Sequence, residues 1–170
     1  MQLNKNIVLL GMMGSGKSTI GYLLSKKLDL KFKDVDKIIE KEAEHKISWI
    51  FESKGENYFR KLEEKVTLQL LKSQNTIVSL GGGGFINKNI RNQVLKNHLS
   101  FWLNWKNSTL INRIIKSKKR PIAFNSSINE IKKMIMDRSK MYSMADFKVN
   151  CENLSKNEIV NKIKDIYEKN

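Results

Sequence analysis

A glycine-rich loop between an apolar run and a helical pattern constrains this chain of 170 residues more than any other feature. Residues 7–10 are typical of a buried strand, and apolar periodicity resumes over residues 20–28 as in an amphipathic helix. The loop between them reads Gly11-x4-Gly16-Lys17-Ser18, the spacing of a phosphate-binding loop, or P-loop. A glycine turn that meets the pattern by chance is the alternative, which the flanking strand and helix disfavour. The sequence therefore predicts a nucleoside triphosphate site.

The chemistry of phosphate binding explains each residue type in this loop. Glycines let backbone N–H groups converge on phosphate oxygens in conformations that a side chain would block. The positive end of the following helix strengthens that attraction. Lys17 can reach the outer phosphates, and the hydroxyl of Ser18 can bind Mg²⁺. The predicted nucleotide-binding residues here are Gly14, Ser15, Gly16, Lys17, Ser18 and Thr19.

Length and composition fit one globular domain. The chain is 40% hydrophobic and 29% charged, and no apolar run approaches the length of about 18 residues that a membrane span needs. The first predicted strand begins so early that we expect no signal peptide. Cys151 is the only cysteine, which excludes a disulfide within the chain and agrees with a reducing compartment. We expect a cytoplasmic protein that has no membrane partner.

The net charge of +15 allows two interpretations. A basic chain can bind nucleic acid, but lysines spread over predicted helix faces are more typical of solvated surface. We therefore expect no nucleic-acid partner. Arginine is scarce in comparison, which suggests that each guanidinium is needed for its planar geometry and faces an anion. The five arginines are Arg60, Arg91, Arg113, Arg120 and Arg138.

Two aspartates follow the second predicted strand, which covers residues 31–33. In an open α/β sheet, ligands bind beyond the carboxyl ends of the strands. Asp34 is placed there to hold Mg²⁺ through water or to accept a proton, and Asp36 to accept hydrogen bonds from substrate hydroxyls. The alternative is that one of them only caps the next helix, which aspartate does well. The residues alone leave both possibilities open.

Arg60 lies in the first turns of a helix predicted from Gly55 to Lys72, with Glu63 three residues later. A surface salt bridge of little energetic value is one interpretation. The other is that Glu63 orients Arg60 toward an anion, in a pocket walled by aromatic residues near Trp49 and Phe51.

Four consecutive glycines, Gly81 to Gly84, follow a third predicted strand at residues 76–80. A turn needs one or two glycines, and each further one costs conformational entropy. We therefore expect a ligand to approach bare backbone here, with Ser79 in reach of the water shell of a metal.

The remaining pattern alternates strands and helices, which predicts a parallel α/β sheet. Between two helices lies a basic segment, residues 117–129, that contains the only proline, Pro121. Its composition favours a mobile lid that closes over phosphates. The capping boxes Ser127-x-x-Glu130 and Ser155-x-x-Glu158 predict where the last two helices begin.

Taken together, these motifs resemble the shikimate kinase family, within the nucleoside-monophosphate-kinase-like P-loop group. A P-loop alone is shared by many enzymes, whereas the combination is specific and covers most of the chain. The motifs are residues 11–19, Asp34-x-Asp36, Gly55-Glu56-x-x-Phe59-Arg60-x-x-Glu63, Ser79-Leu80-Gly81-Gly82-Gly83, Arg120-Pro121 and Arg138-x-x-x-Tyr142.

The resemblance implies a three-layer P-loop kinase fold with a five-stranded parallel sheet, formed as a single domain by residues 1–170. It implies a helical substrate-binding segment at about residues 35–63 and a lid at about residues 113–126. The implied reaction transfers the γ-phosphate of ATP to the 3-hydroxyl of shikimate in chorismate and aromatic amino-acid biosynthesis, with Mg²⁺ as the metal. A monomer is expected.

The resemblance also assigns roles to individual residues. Lys17, Asp34 and Arg120 would be catalytic, and Ser18 and Asp34 would hold Mg²⁺. Arg120 would also close on the phosphates of ATP, with Arg113 near the adenine. Shikimate would be bound by Asp36, Arg60, Gly81, Gly82, Gly83 and Arg138. Two departures concern Trp49, where the family often has an acidic residue, and residues 154–155, where a late basic residue near the adenine has no clear match.

Three other functions are compatible with parts of the pattern. The nearest is a kinase of the same fold that acts on gluconate or a nucleotide, although two arginines and one aspartate suit a carboxylate with hydroxyls better. A basic nucleic-acid-binding ATPase would need exposed aromatics among clustered basic residues. A catalytically silent binding module is disfavoured by intact Lys17, Ser18 and Asp34.

Overall fold

The computed structural model describes residues 5–117 and 126–170. Within them, five parallel strands form one sheet in the order β2-β3-β1-β4-β5. The strands are β1 Ile7–Leu10, β2 Lys31–Asp34, β3 Thr76–Ser79, β4 Leu99–Asn104 and β5 Phe147–Asn150. The predicted five-stranded parallel sheet is thus confirmed, with β2 one residue longer than expected, because Asp34 pairs in register with Ser79.

One or more helices follow each strand along the chain. They are α1 Lys17–Leu28, α2 Val35–Ala43, α3 Ile47–Lys54, α4 Glu56–Leu71, α5 Lys88–Asn97, α6 Asn107–Lys116, α7 Ile128–Tyr142 and α8 Lys156–Tyr167, with a short 3₁₀ turn at Gly84–Ile86. Both predicted capping boxes are present, at Ser127 for α7 and at Ser155 for α8. Among the described helices, none has the combination of length and apolarity that crossing a bilayer requires.

The sheet lies between two layers of helices because successive side chains of each strand point to opposite faces. On β1, Val8 and Leu10 join one buried cluster, which includes side chains of α2, α4, α5 and α7. Ile7 and Leu9 join the other, with side chains of α1 and α8. The predicted three-layer fold is therefore confirmed.

The strand order places the ends of β1, β2 and β3 side by side. In the parallel register Leu9 and Asp34 both pair with Ser79, so the chain leaves all three strands at the same edge. The order also reverses at β1, whose successors along the chain lie on one side and then on the other. Such an edge is where open α/β sheets bind ligands.

Candidate active site

The loop between β1 and α1 folds around the side chain of Lys17. Gly16 precedes the helix with φ of 88°, in the left-handed region that favours glycine, so the loop can turn directly into α1. Lys17 is 8% exposed, and its ammonium donates to the carbonyl oxygens of Gly11 at 2.8 Å and Met12 at 3.0 Å. The positive charge is therefore fixed at the mouth of the loop.

Asp34 caps α2, which is one of the two possibilities that the sequence left open, and it also contacts Ser18. Its Oδ1 accepts a hydrogen bond of 3.2 Å from the backbone N–H of Lys37, which caps α2. Its Oδ2 accepts from the hydroxyl of Ser18, across the cleft between α1 and β2. One carboxylate thus joins the P-loop helix to the beginning of the segment that contains Asp36.

Ser18 and Asp34 have the chemistry of a magnesium site. One hydroxyl and one carboxylate match the few protein oxygens that Mg²⁺ uses when substrate phosphates and waters complete its coordination. Among the described residues, no group of three histidine, cysteine or acidic side chains could cage a metal by itself. The donor set therefore fits a metal that is shared with a phosphorylated substrate.

A cavity of about 230 Å³ connects the P-loop to the ends of β2 and β3. Its walls include both the predicted phosphate-binding groups and the two aspartates. The lining residues are Gly14, Gly16, Lys17, Ser18, Thr19, Asp34, Asp36, Ser79 and Leu80. Ser79 lies where the sequence placed it, beside the predicted metal site.

Arg60 is held on α4 by two acidic residues of the same helix. Its Nη1 donates to Oε2 of Glu63 at 2.7 Å, and its Nε and Nη2 donate to Oε1 of Glu56 at 3.3 and 3.2 Å. Burial lowers the pKa of Arg60, but the two carboxylates outweigh it and the pKa is raised overall. The guanidinium is therefore a permanent, oriented cation, as expected if Glu63 positions it.

Glu63 is more than a surface salt-bridge partner. Its side chain is only 2% exposed, and burial raises its pKa above the ordinary glutamate value although Arg60 acts in the opposite direction. Within the described part of the chain, its Oε1 has no hydrogen-bond partner. A buried acceptor without a partner is costly, so this oxygen is available to a ligand or a water molecule.

The glycine run contacts each predicted acceptor-binding side chain. A Cβ on Gly81 would lie 2.7 Å from Oδ1 of Asp36, and one on Gly82 would lie 3.3 Å from Nη1 of Arg138. A Cβ on Gly83 would collide with the guanidinium of Arg60 and force it away from Glu63. The glycine run therefore lets three side chains that are distant in sequence approach its backbone closely. This is a second reason for the glycines, besides the expected approach of a ligand.

Tyr142 ends the motif Arg138-x-x-x-Tyr142, but no role in the site was predicted for it from the sequence. It is buried at the end of α7, one helical turn after Arg138, and its hydroxyl donates to the carbonyl oxygen of Gly82. Its place four residues after an arginine already in a motif was the available signal, because such residues share one face of a helix.

Trp105 and Arg113 lie on the other side of the P-loop, beyond β4. Nε1 of Trp105 donates to the carbonyl oxygen of Ser15 at 2.9 Å, and Nη1 of Arg113 donates to that of Gly14 at 3.2 Å. Sequence reasoning missed Trp105, although its position directly after a strand was a signal similar to that of Asp34. Arg113 is next to the P-loop, as a nucleotide-binding residue would be.

The other residues singled out from the sequence are Arg91, Arg120, Pro121, Trp49 and Phe51. Arg120 and Pro121 lie outside the described residues, as does most of the predicted lid. Arg91 donates to the carbonyl oxygens of Phe85 and Ile86, which stabilises the turn after the glycine run. Phe51 contacts Phe59 with ring centroids 4.7 Å apart, whereas Trp49 is 41% exposed and stacks on His45.

Comparison with known proteins gives one consistent result. The family model described as shikimate kinase matches residues 13–168. A shikimate kinase from Sulfurihydrogenibium sp. is 40% identical over 94% of this chain and 95% of its own length. The Bacillus subtilis shikimate kinase is 42% identical over 94% of this chain and 87% of its own. A shikimate kinase from Acinetobacter baumannii, solved in complex with shikimate, superposes with a TM-score of 0.91 at 26% identity, over 97% and 93% of the two chains.

Proposed function

The chain belongs to the shikimate kinase family, and we propose that the residues of the site described above carry out the reaction of that family. The chain is an ATP-dependent kinase that transfers the γ-phosphate of ATP to the 3-hydroxyl of shikimate, with Mg²⁺ as its metal. Shikimate 3-phosphate and ADP are the products, and the reaction belongs to chorismate and aromatic amino-acid biosynthesis.

One observation supports the assignment of residues most directly. Lys17 and Ser18 of the P-loop line the same cavity as Asp36, and Asp36 lies beside the glycine run that also contacts Arg60 and Arg138. A phosphate donor bound by Lys17 and Ser18 would therefore lie in one cleft with the phosphate acceptor. That acceptor would be a hydroxylated carboxylate bound by Asp36, Arg60 and Arg138. Phosphoryl transfer needs this alignment more than it needs covalent chemistry from the protein.

The donor side neutralises charge. Lys17 contacts the outer phosphates of ATP, and backbone N–H groups of residues 14–19 at the start of α1 contact the remaining phosphate oxygens. Ser18 and Asp34 would hold Mg²⁺, Asp34 through water, and the metal would neutralise part of the triphosphate charge. Arg120 is assigned to the phosphates and Arg113 to the adenine from their motif positions.

The acceptor side orients shikimate. Arg60 and Arg138 bind the carboxylate, since two guanidinium groups converge on the glycine run from different helices. Asp36 accepts hydrogen bonds from ring hydroxyls, and the backbone at Gly81, Gly82 and Gly83 lies against the ligand. Asp34, which lines the cavity together with Lys17 and Asp36, would accept the proton of the attacking hydroxyl.

The remaining expectations are part of the same proposal. Residues 1–170 form a single kinase domain, with a substrate-binding segment at about residues 35–63 and a lid at about residues 113–126. The protein acts as a cytoplasmic monomer without nucleic-acid or membrane partners. Lysines spread over several helices, with no described cluster of exposed aromatics among them, support the absence of nucleic acid.

A coupled assay of ADP release tests the function directly. The purified protein is supplied with ATP, Mg²⁺ and one candidate acceptor at a time, either shikimate, gluconate, AMP or single-stranded DNA. We expect rapid ADP release with shikimate alone, and the Lys17→Met variant measures background ATPase. Stronger release with any other acceptor would contradict the proposal.

A further inference from the structure

The P-loop is held from its outer side by side chains that follow β4. Trp105 donates from Nε1 to the carbonyl oxygen of Ser15, and Arg113 donates from Nη1 to that of Gly14. The backbone of the loop also lies close to β4, since a Cβ built on Gly11 would lie 3.0 Å from the carbonyl oxygen of Leu103. Consecutive peptides of the loop are therefore anchored to a neighbouring strand and the helix after it.

The two anchoring side chains also contact each other. Cζ of Arg113 lies 3.8 Å from the centroid of the Trp105 ring, within the range of a cation–π contact. Arg113 is exposed, whereas Trp105 is half-buried and packs against the core cluster of β1, β4 and α8. The indole is thus the fixed member of the pair and limits the directions that the guanidinium can take.

The hydrogen bond to Ser15 has a directional consequence for phosphate binding. In a trans peptide the C=O and the following N–H point in opposite directions. When the Ser15 carbonyl is bound to the indole, the N–H of Gly16 points away from Trp105. Gly16 lines the cavity that Lys17 and Ser18 also line, so an N–H turned away from Trp105 is available to a phosphate bound there.

We propose that Trp105 is a positioning residue for the triphosphate substrate. Its N–H fixes the Ser15–Gly16 peptide, and its ring holds Arg113 on the Gly14 carbonyl, so that the loop is already shaped for phosphate before the substrate arrives. Trp105 acts through Ser15 and Arg113 rather than on the reacting atoms. This inference rests on the proposed function, which makes the P-loop the binding site of the donor phosphates.

Two substitutions separate the two contacts. Trp105→Phe keeps an aromatic ring beneath Arg113 but removes the N–H donor, whereas Trp105→Leu removes both. Phe147→Leu is a matched control, because Phe147 is another half-buried aromatic packed on the same core cluster and stacks on Phe101. It lies at the beginning of β5, an edge strand that β4 separates from β1 and the P-loop.

The experiment measures three quantities on each variant, with inorganic tripolyphosphate as a phosphate probe that lacks a base and a sugar. They are KM for ATP, KM for shikimate and the inhibition constant of tripolyphosphate. Because Trp105→Phe removes one neutral hydrogen bond, we expect it to weaken the binding of ATP and of tripolyphosphate equally, by about three- to tenfold. Trp105→Leu should weaken both further, and KM for shikimate should stay within about twofold of wild type.

Other outcomes would overturn the inference in distinguishable ways. A higher KM for ATP with an unchanged inhibition constant of tripolyphosphate would mean that Trp105 acts on the base or sugar. A lower melting temperature with unchanged constants, as expected for Phe147→Leu, would mean that Trp105 only stabilises the fold. Failure of the wild-type enzyme to phosphorylate shikimate would instead contradict the proposed function, so wild-type turnover is measured first.

Discussion

The phenol of Tyr142 donates a hydrogen bond to the carbonyl oxygen of Gly82, in the middle of the glycine run. Because C=O and N–H of a trans peptide point in opposite directions, this bond turns the N–H of Gly83 away from Tyr142. Arg138, one turn earlier on α7, approaches the same glycine. One face of α7 therefore supplies a charged group and also sets the orientation of the backbone beside it.

We expect Tyr142→Phe to weaken shikimate binding selectively. The substitution removes only the hydroxyl and keeps the ring, so the carbonyl of half-buried Gly82 loses its donor and the peptide can rotate. The expected rise in KM for shikimate is about three- to tenfold, the value of one neutral hydrogen bond, with KM for ATP unchanged. Steady-state kinetics on both substrates is the measurement, and Tyr22→Phe, which changes an exposed phenol of α1, is the control. Equal weakening of both substrates would contradict this role.

The same hydroxyl makes stability depend on alkaline pH. Burial raises the pKa of Tyr142 to about 12, although Arg138 lowers it, from the ordinary tyrosine value of 10.0. The unfolded chain therefore loses this proton first as pH rises, and the free energy of unfolding falls between about pH 10 and pH 12, where the folded state retains it. Below this window the contribution is fully present.

Urea unfolding of wild type and Tyr142→Phe near about pH 9 and about pH 11 tests this linkage. The phenylalanine variant has no proton to lose, so its free energy of unfolding should fall less than that of wild type over the interval. Any advantage of wild type at the lower pH should therefore shrink at the higher pH. A constant difference between the two proteins would show that Tyr142 does not control alkaline stability.

The sequence predicted the fold well because the fold depends on local signals. Buried strands, glycine punctuation and the capping boxes at Ser127 and Ser155 are all readable within a few residues, and the structure contains each of them. The number of strands was expected only through the family resemblance, and the strand order was not predicted. It depends on which strands pair across the whole chain, and no local pattern encodes that.

Prediction of the site was limited by the same difference between local and distant contacts. Asp34 and Arg60 stand in short motifs, but Trp105 contacts Ser15 and Tyr142 contacts Gly82 across most of the chain. An aromatic residue in an apolar pattern is usually part of a core, and both residues also pack there. Their polar atoms acquire a role only once the sheet has placed β4 and α7 beside the two glycine loops.

Lys17→Met tests the phosphate-binding role of the P-loop. The ammonium is fixed at the mouth of the loop by the carbonyl groups of Gly11 and Met12, so methionine preserves the length of the side chain but removes the charge. Turnover should fall by orders of magnitude, because the lost charge stabilises the transferring phosphoryl group. Circular dichroism verifies folding, and Lys26→Met, in the last turn of the same helix, is the control. Near-normal turnover of a folded Lys17→Met protein would refute the assignment.

Arg60→Lys tests whether the acceptor site recognises a carboxylate by geometry or by charge alone. Glu56 and Glu63 hold the guanidinium of Arg60 beside Gly83, so its planar edge is oriented before the ligand binds. Two parallel hydrogen bonds from a guanidinium match a carboxylate, and an ammonium cannot reproduce them. Keeping the charge should therefore not preserve the affinity for shikimate.

The loss should be about 1.5–3 kcal/mol, the value of a hydrogen bond to a charged group, or about ten- to a hundredfold in affinity. Affinity for ATP should be unchanged, because Arg60 lies at Gly83 and does not line the cavity beside the P-loop. Arg91→Lys, which alters a guanidinium bound to the carbonyl groups of Phe85 and Ile86, is the matched control. Calorimetry with shikimate and with its carboxamide analogue completes a double cycle. The amide should bind weakly to wild type and lose little more on mutation, whereas equal losses for acid and amide would mean that Arg60 does not read the carboxylate.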